Sequence, residues 1–216
     1  ISARPVLSAG NGVFLLHNTR AHPASSLAAG PFAASAVKIA AVWRSSKPPS
    51  VRFSINNAAV SVVGVFQDCG DEEWERLFGV NVKGVFNCCK RAVGNMLKKQ
   101  SGSIVNISSI WGITGGSCEC HYSATKAAVI GYTKAMAKEL GPKGIRVNAV
   151  APGMINTSFH DRFTKPEGRE NLHRTAPLRR EGEAMEVADL VCYLASDGSS
   201  YLTGTNIDIN GGCLFS

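Results

Sequence analysis

The sequence predicts an α/β fold, a doubly wound parallel sheet with helices on both faces. Three stretches carry that reading. Ile104-Val105-Asn106-Ile107 is short and rich in β-branched residues, which marks a buried strand. Tyr122 to Leu140 reads as a helix stopped by Gly141-Pro142. Ile145-Arg146-Val147-Asn148-Ala149-Val150 reads as the next strand. Helix alternating with strand argues for parallel strands, because their crossovers lay helices over the sheet.

The other elements follow in order. Asp71 is a candidate N-cap, with Glu72, Glu73 and Glu75 in the first turn, where acidic side chains complement the helix dipole. Trp74, Leu77, Phe78, Val82, Val85 and Phe86 follow at helical spacing and predict a buried stripe. Asn81 falls inside that stripe, where an amide needs partners. Residues 154–182 show no clear periodicity and contain Pro166, Gly168 and Pro177, so the sequence predicts an irregular lid there. Glu183–Ala195 reads as a helix, with Met185, Val187, Ala188, Val191 and Leu194 available for burial. Asn206–Asn210 is the last strand.

Composition narrows the functional classes. The chain has 216 residues, 44% of them hydrophobic, which suits one globular domain with a sizeable core. Its seven cysteines form no Cys-x-x-Cys pair, so reduced thiols and a cytoplasmic setting are expected rather than a disulfide framework. Cys118, Cys120 and His121 cluster, but their spacing does not suit a zinc site and no second ligand pair follows; no metal is expected. The stretch nearest to a membrane span, residues 27–43, is interrupted by Pro31 and Lys38, and no membrane association is expected. The net charge of +7 comes mostly from residues 1–55, which hold six basic residues and no acidic one. A scattered excess in one segment is a poor footprint for nucleic acid, and none is expected as a partner.

Ser109, Tyr122 and Lys126 are the candidate catalytic set. A Tyr and a Lys four residues apart share one helix face, so the Lys126 ammonium is expected near the Tyr122 phenol. A cation favours phenolate, and the sequence therefore predicts a lowered Tyr122 pKa and proton exchange near neutrality. Ser109 ends an apolar strand, where its hydroxyl can hold a carbonyl or alcohol oxygen beside that phenol. Ligands of open α/β sheets gather beyond strand C-termini. Ser109 and Pro152-Gly153 both lie at such ends. This is chemistry suited to carbonyl reduction.

Further motifs accompany the set: Asn56-Asn57-Ala58-Ala59, Asn81 within Gly79-Val80-Asn81-Val82-Lys83-Gly84, Pro152-Gly153-Met154-Ile155-Asn156-Thr157, and Asp208-Ile209-Asn210-Gly211-Gly212. In this order, over residues 54–216, the chain resembles the short-chain dehydrogenase/reductase family. The resemblance implies a Rossmann-like sheet and a nicotinamide cofactor, NADP with NAD as the alternative. It implies that Tyr122 donates the proton, Ser109 holds the substrate oxygen, Lys126 tunes Tyr122 and binds the nicotinamide ribose, and Asn81 continues a proton relay. It places Asn56 by the adenosine ribose, and Ile155 and Thr157 at the carboxamide. It also implies a lid over the substrate and a homodimer or homotetramer built on the helices that bear Asn81 and Tyr122. Within the family, the body is similar to the 3-oxoacyl-(acyl-carrier-protein) reductases. Ser108-Ser109-Ile110-Trp111-Gly112 with Ser117-Cys118-Glu119 is similar to the elongation factor P 5-aminopentanone reductases. A small or acyl-carrier-bound ketone is therefore the expected substrate. Trp111 reads equally as a packing residue behind the serine loop.

The pattern breaks upstream. The family's glycine-rich phosphate cradle is missing or unrecognisable; Gly10-Asn11-Gly12 has neither its spacing nor the following helix pattern. Residues 1–53 form an atypical acid-free segment ahead of the catalytic portion, 54–216. They read as sequence foreign to the family through a frame error or gene decay, as a targeting peptide, or as a diverged half-domain. Without a recognisable first half, the strand bearing Asn56–Ala59 is expected to be an apolar sheet edge. The alternative to an active reductase is an inert family remnant that binds no cofactor.

Overall fold

A computed structural model describes residues 52–163 and 166–215. The readings of residues 1–53 therefore fall almost wholly outside the described residues. The sheet has four parallel strands in the order β1-β2-β3-β6: β1 Phe53–Asn56, β2 Gly102–Ile107, β3 Ile145–Pro152 and β6 Asn206–Ile209. β2 pairs with β3 from Gly102↔Ile145 to Ile107↔Val150, and β1 flanks β2 with Phe53 opposite Ser103. Among the described residues β1 stands at one end of that order.

Alternate residues of the central strands face opposite helical layers. On one face Ile104, Ile145 and Val147 pack under α2 (Gly84–Lys99) and α4 (Cys120–Leu140), against Val85, Cys89, Ala92, Met96, Val129, Met136 and Leu140. On the other, Ile55, Val105 and Val150 pack against Val191 and Leu194 of α7 (Ala184–Ala195). Helices thus cover both faces, and the chain is an α/β doubly wound sheet. Among the described residues no helix is long and apolar enough to cross a membrane.

Several expectations need correction. Helix α1 spans Asp71–Phe78, and its N-cap is Gly70, whose N–H is accepted by the Glu73 carboxylate at 2.9 Å. Asp71 is the first helical residue instead. The stripe is narrower than predicted: Leu77 and Val85 are buried, while Trp74 and Phe86 are 40% and 43% exposed. Trp74 covers Phe78 and His121 rather than the core. In α7, Met185 is exposed because it lies two residues from Val187, off the Val187–Val191–Leu194 face. The lid stretch is not irregular. It forms a short strand β4 (Ile155–Asn156), then α5 (Ser158–Phe163), α6 (Pro166–Thr175) and β5 (Gly182–Glu183), which pairs with β4. The Arg169 guanidinium bonds both carboxylate oxygens of Glu181, at 2.7 and 3.0 Å, and ties α6 down without an apolar stripe.

A polar ladder runs through the core beneath β1 and β2. Asn56 Nδ2 donates to Asn106 Oδ1 at 2.6 Å and to Cys89 Sγ at 3.3 Å, and Asn106 Nδ2 donates to Thr133 Oγ1 at 2.8 Å. Burial pushes the Cys89 thiol up to about 12, so it stays neutral within the ladder. Asn106→Ala leaves the Asn56 amide and the Thr133 hydroxyl without their partner in a dry site. It is expected to cost about 2–4 kcal/mol, read as a lower urea midpoint with an unchanged slope.

Candidate active site

Three elements converge at the C-terminal ends of β2 and β3. Pairing continues past the strands: Ser108 N–H donates to Val150 O at 2.7 Å and Ile110 N–H to Pro152 O at 3.1 Å. This fixes Ser109, which is 8% exposed, at the end of β2. The next turn is α3 (Trp111–Thr114). Trp111 N–H donates to Ser109 Oγ at 3.2 Å, and the Ser109 hydroxyl bonds the Tyr122 phenol.

Helix α4 is pressed onto this turn. A Cβ on Gly112 would lie 2.7 Å from the Lys126 main-chain carbon, so only glycine permits the approach. Ser108 Oγ donates to Lys126 O at 3.0 Å, and Lys126 Nζ donates to Ile107 O at 2.9 Å. The same ammonium lies 5.5 Å from the Tyr122 ring centroid. Ser109, Tyr122 and Lys126 therefore meet, as their spacing predicts.

Their electrostatics differ from the sequence expectation. The Tyr122 pKa is pushed up, chiefly by burial and then by the Glu119 charge, against a smaller downward pull from Ser109. Loss of water around the phenol decides the sign, and the Lys126 ammonium is directed at the Ile107 carbonyl. Burial lowers Lys126 itself to about 8.

Asn81 sits in a π-helical turn, Gly79–Lys83, that joins α1 to α2. Such turns insert a residue into a helix and recur at functional sites. Its amide pairs with Val60 in both directions, Val60 N–H to Oδ1 and Nδ2 to Val60 O, each at 2.9 Å. Nδ2 also donates to Thr125 Oγ1 at 3.0 Å, and that hydroxyl donates to Tyr122 O at 2.7 Å. Asn81 is thus connected to the backbone of Tyr122. Ile155 and Thr157 follow the Pro152-Gly153 turn, with Thr157 Oγ1 donating to Ile155 O at 3.4 Å. A Cβ on Gly153 would meet Asn210 Cβ at 2.8 Å, so this turn also requires glycine. Asn56 is not part of the cluster; its side chain is engaged in the core ladder.

Three contributors escape the sequence reading. Phe159 of α5 packs on the Tyr122 ring, centroids 6.1 Å apart, and closes the lid stretch over the site. No periodicity marks it. Ser61 Oγ donates to Glu119 Oε2 at 3.1 Å, and Glu119 is the N-cap of α4. Their sequence signals are position alone: Ser61 just after the Asn-Asn motif, Glu119 one turn ahead of Tyr122. Among the described residues no group of three or more His, Cys, Asp or Glu side chains is placed to hold a metal.

A family model described as "Enoyl-(Acyl carrier protein) reductase" matches residues 34–213, starting upstream of the signatures. The chain belongs to the short-chain dehydrogenase/reductase family. It is 42% identical over 158 residues to a 3-oxoacyl-[acyl-carrier-protein] reductase of Staphylococcus aureus, covering 73% of this chain and 64% of the relative. Against its Thermotoga maritima counterpart the identity is 45%, with the same coverage. The chain therefore spans a little under two thirds of the length of these curated relatives. Among solved structures, a 3-oxoacyl-[acyl-carrier protein] reductase from Brucella melitensis matches with a TM-score of 0.75 and 35% identity, covering 85% of this chain and 68% of that one. A second Brucella melitensis structure, with bound NAD, matches with a TM-score of 0.73 and 35% identity, covering 85% of this chain and 67% of that one. In this chain Ser109, Tyr122 and Lys126 lie together at the C-terminal edge of the parallel sheet.

The buried Lys126 makes stability depend on pH in a definite direction. Its pKa falls from an ordinary 10.5 to about 8 on folding, so between those values the unfolded chain binds more protons and folding stability rises with pH. At pH 7 the protein carries a buried ammonium at a cost on the order of 3 kcal/mol. Lys126→Met is expected to be more stable than the parent at pH 7, with that advantage shrinking as pH climbs from 8 to 10.5. Paired thermal melts across that range check it, and a pH-independent difference would contradict it.

Proposed function

We propose that this chain works as a nicotinamide-dependent reductase of ketones, with a 3-oxoacyl thioester or a related ketone as substrate. The observation that carries the reading is the contact of Ser109, Tyr122 and Lys126 at the ends of β2 and β3. Ser109 donates its hydroxyl to the substrate oxygen and holds it beside the Tyr122 phenol. Tyr122 gives its proton to that oxygen as the alcohol forms. Lys126, buried and tuned to about 8, stabilises the phenolate left behind. Asn81, through Thr125, fixes the helical turn that aims Tyr122. Phe159 excludes water from the phenol.

A bound nicotinamide supplies hydride to the carbonyl carbon. The donors at hand suit its nicotinamide–ribose half: the Lys126 ammonium for ribose hydroxyls, and the Thr157 hydroxyl with the main chain of Ile155 for the carboxamide. The Asn56 side chain is occupied, so a ribose contact there falls to its main chain. NADP is the proposed cofactor, with NAD as the alternative. An acyl-carrier-bound substrate, a homodimer or homotetramer, and a cytoplasmic setting belong to the same reading, supported by the relatives. A second reading, a remnant that binds no cofactor, is supported by the missing glycine cradle within residues 1–53. In either case residues 54–216 are proposed as the portion that carries the Ser–Tyr–Lys set, active in the first reading and inert in the second.

Tyr122→Phe removes one hydroxyl and keeps the ring against Phe159. It is expected to lower NADPH-dependent reduction of acetoacetyl thioesters by about 100-fold or more, with the melting temperature and nucleotide affinity held. Turnover like that of the parent would refute the assignment of Tyr122.

A further inference from the structure

The stretch that joins Ser109 to Tyr122, residues 110–121, is built as a bracket. Trp111 stands near its start, and Glu119, the N-cap of α4, near its end. The Trp111 N–H donates to Ser109 Oγ at 3.2 Å, so indole and serine belong to one turn. The Trp111 ring covers Gly116: a Cβ built there would stand 3.0–3.1 Å from three indole atoms, closer than side chains pack. Gly116 in turn donates its N–H to Ser123 Oγ at 2.9 Å. Ser123 follows Tyr122 on α4, is 8% exposed, and donates its own N–H to Glu119 O at 2.9 Å. The indole that the sequence reads equally as a packing residue therefore reaches, through one glycine, the residue beside Tyr122.

The bracket departs from relaxed backbone. Gly115 has a φ of 76°, and Cys118, which carries a side chain, has a φ of 61°. A non-glycine residue in the left-handed region is disfavoured and persists only where its surroundings hold it. Here they come from the loop after the Asn-Asn motif: Gly64 N–H donates to Cys118 O at 2.9 Å, and Ser61 Oγ to Glu119 Oε2 at 3.1 Å. With its outer side fixed, the bracket transmits the place of the Ser109 turn to the start of α4. The bond from Gly116 to Ser123 is dispensable for stability. Gly116 is half-buried, so water can take its N–H when the serine hydroxyl is absent. Its effect is geometric.

We infer that Trp111 and Ser123 are positioning residues that, acting through Gly116, set the Tyr122 phenol against the Ser109 hydroxyl. Lys126 ties α4 to the sheet one turn further on, through Ile107 O. The bracket ties down the start of the helix, where Tyr122 lies. The inference rests on the reductase reading for its effect on turnover, but not for the pairing of the two hydroxyls.

Ser123→Ala removes the acceptor of the Gly116 N–H and keeps the site small. With the full chain and NADPH, it is expected to lower kcat for acetoacetyl thioester reduction about 10-fold, the effect of a small misplacement of a reacting group, with nucleotide affinity and melting temperature held. In a Ser109→Ala background the same change alters kcat by less than about twofold, because the pair it positions is already broken. Trp111→Leu follows the same pattern, and Trp111→Phe, which keeps a ring over Gly116, restores most of the loss. The pairing is also read without turnover, from chain labelled with ¹³C at tyrosine Cζ, with the Tyr122 signal assigned through Tyr122→Phe. Ser109→Ala and Ser123→Ala are each expected to displace that signal, and Ser123→Ala displaces it no further once Ser109 is alanine. That result supports the inference even if the chain reduces no ketone, an outcome that counts against the reductase reading alone. A Tyr122 signal that Ser123→Ala shifts equally in both backgrounds, or leaves unmoved, overturns the inference. So does an active Ser123→Ala with the kcat of the parent.

Discussion

The buried ammonium of Lys126 is the constraint on which the site depends. It costs desolvation energy, and the fold accepts that cost because the end of β2 offers it the Ile107 carbonyl at 2.9 Å. The same turn of α4 receives the Ser108 hydroxyl on its main chain, and it lies so close to α3 that only glycine fits at position 112. These contacts set the height of α4 above the sheet. Once that height is fixed, Tyr122 one turn earlier faces Ser109, because helix geometry allows little else.

A second consequence is electrostatic. Removing water raises the proton affinity of a phenol and lowers that of an amine, and both shifts are present at Tyr122 and Lys126. From ordinary values that lie close together, the two groups therefore move apart, the phenol upward and the amine down to about 8, without an ion pair between them. That separation brings the amine near neutrality and holds the phenol protonated, an arrangement suited to donating a proton and then sharing the resulting charge. Neighbouring charge acts on top of this background, and Glu119 acts in the opposite direction to a cation.

Much of this was legible in the sequence, for identifiable reasons. Ile104–Ile107 and Ile145–Val150 announce themselves as short runs rich in β-branched residues, and Tyr122–Leu140 as a helix stopped by Gly141-Pro142. Ser109, Tyr122 and Lys126 could be grouped because a helical repeat and a strand end are local facts. What could not be read depends on distant partners. The π turn at Gly79–Lys83 is stabilised by Asn81 pairing with Val60, a contact 21 residues back along the chain. Helix α6 is almost wholly polar, and the Arg169–Glu181 pair holds it where a periodic stripe would otherwise be the signal. The inward engagement of the Asn56 side chain was hidden as well, because its partners are Asn106 on the neighbouring strand and Cys89 on the covering helix. Even the sign of the Tyr122 shift was hidden, since adjacency to a lysine is visible in sequence and exclusion of water is not.

The central claim is that this chain builds a nicotinamide-dependent reductase site around Lys126 and Tyr122. The most direct test is a titration of the purified full chain with NADPH and with NADH, following enhancement of the nucleotide fluorescence. The account predicts saturable binding with a rise in melting temperature on addition of the nucleotide. A folded sample that binds neither nucleotide would contradict it, leaving the Ser–Tyr–Lys set without the hydride source its chemistry requires.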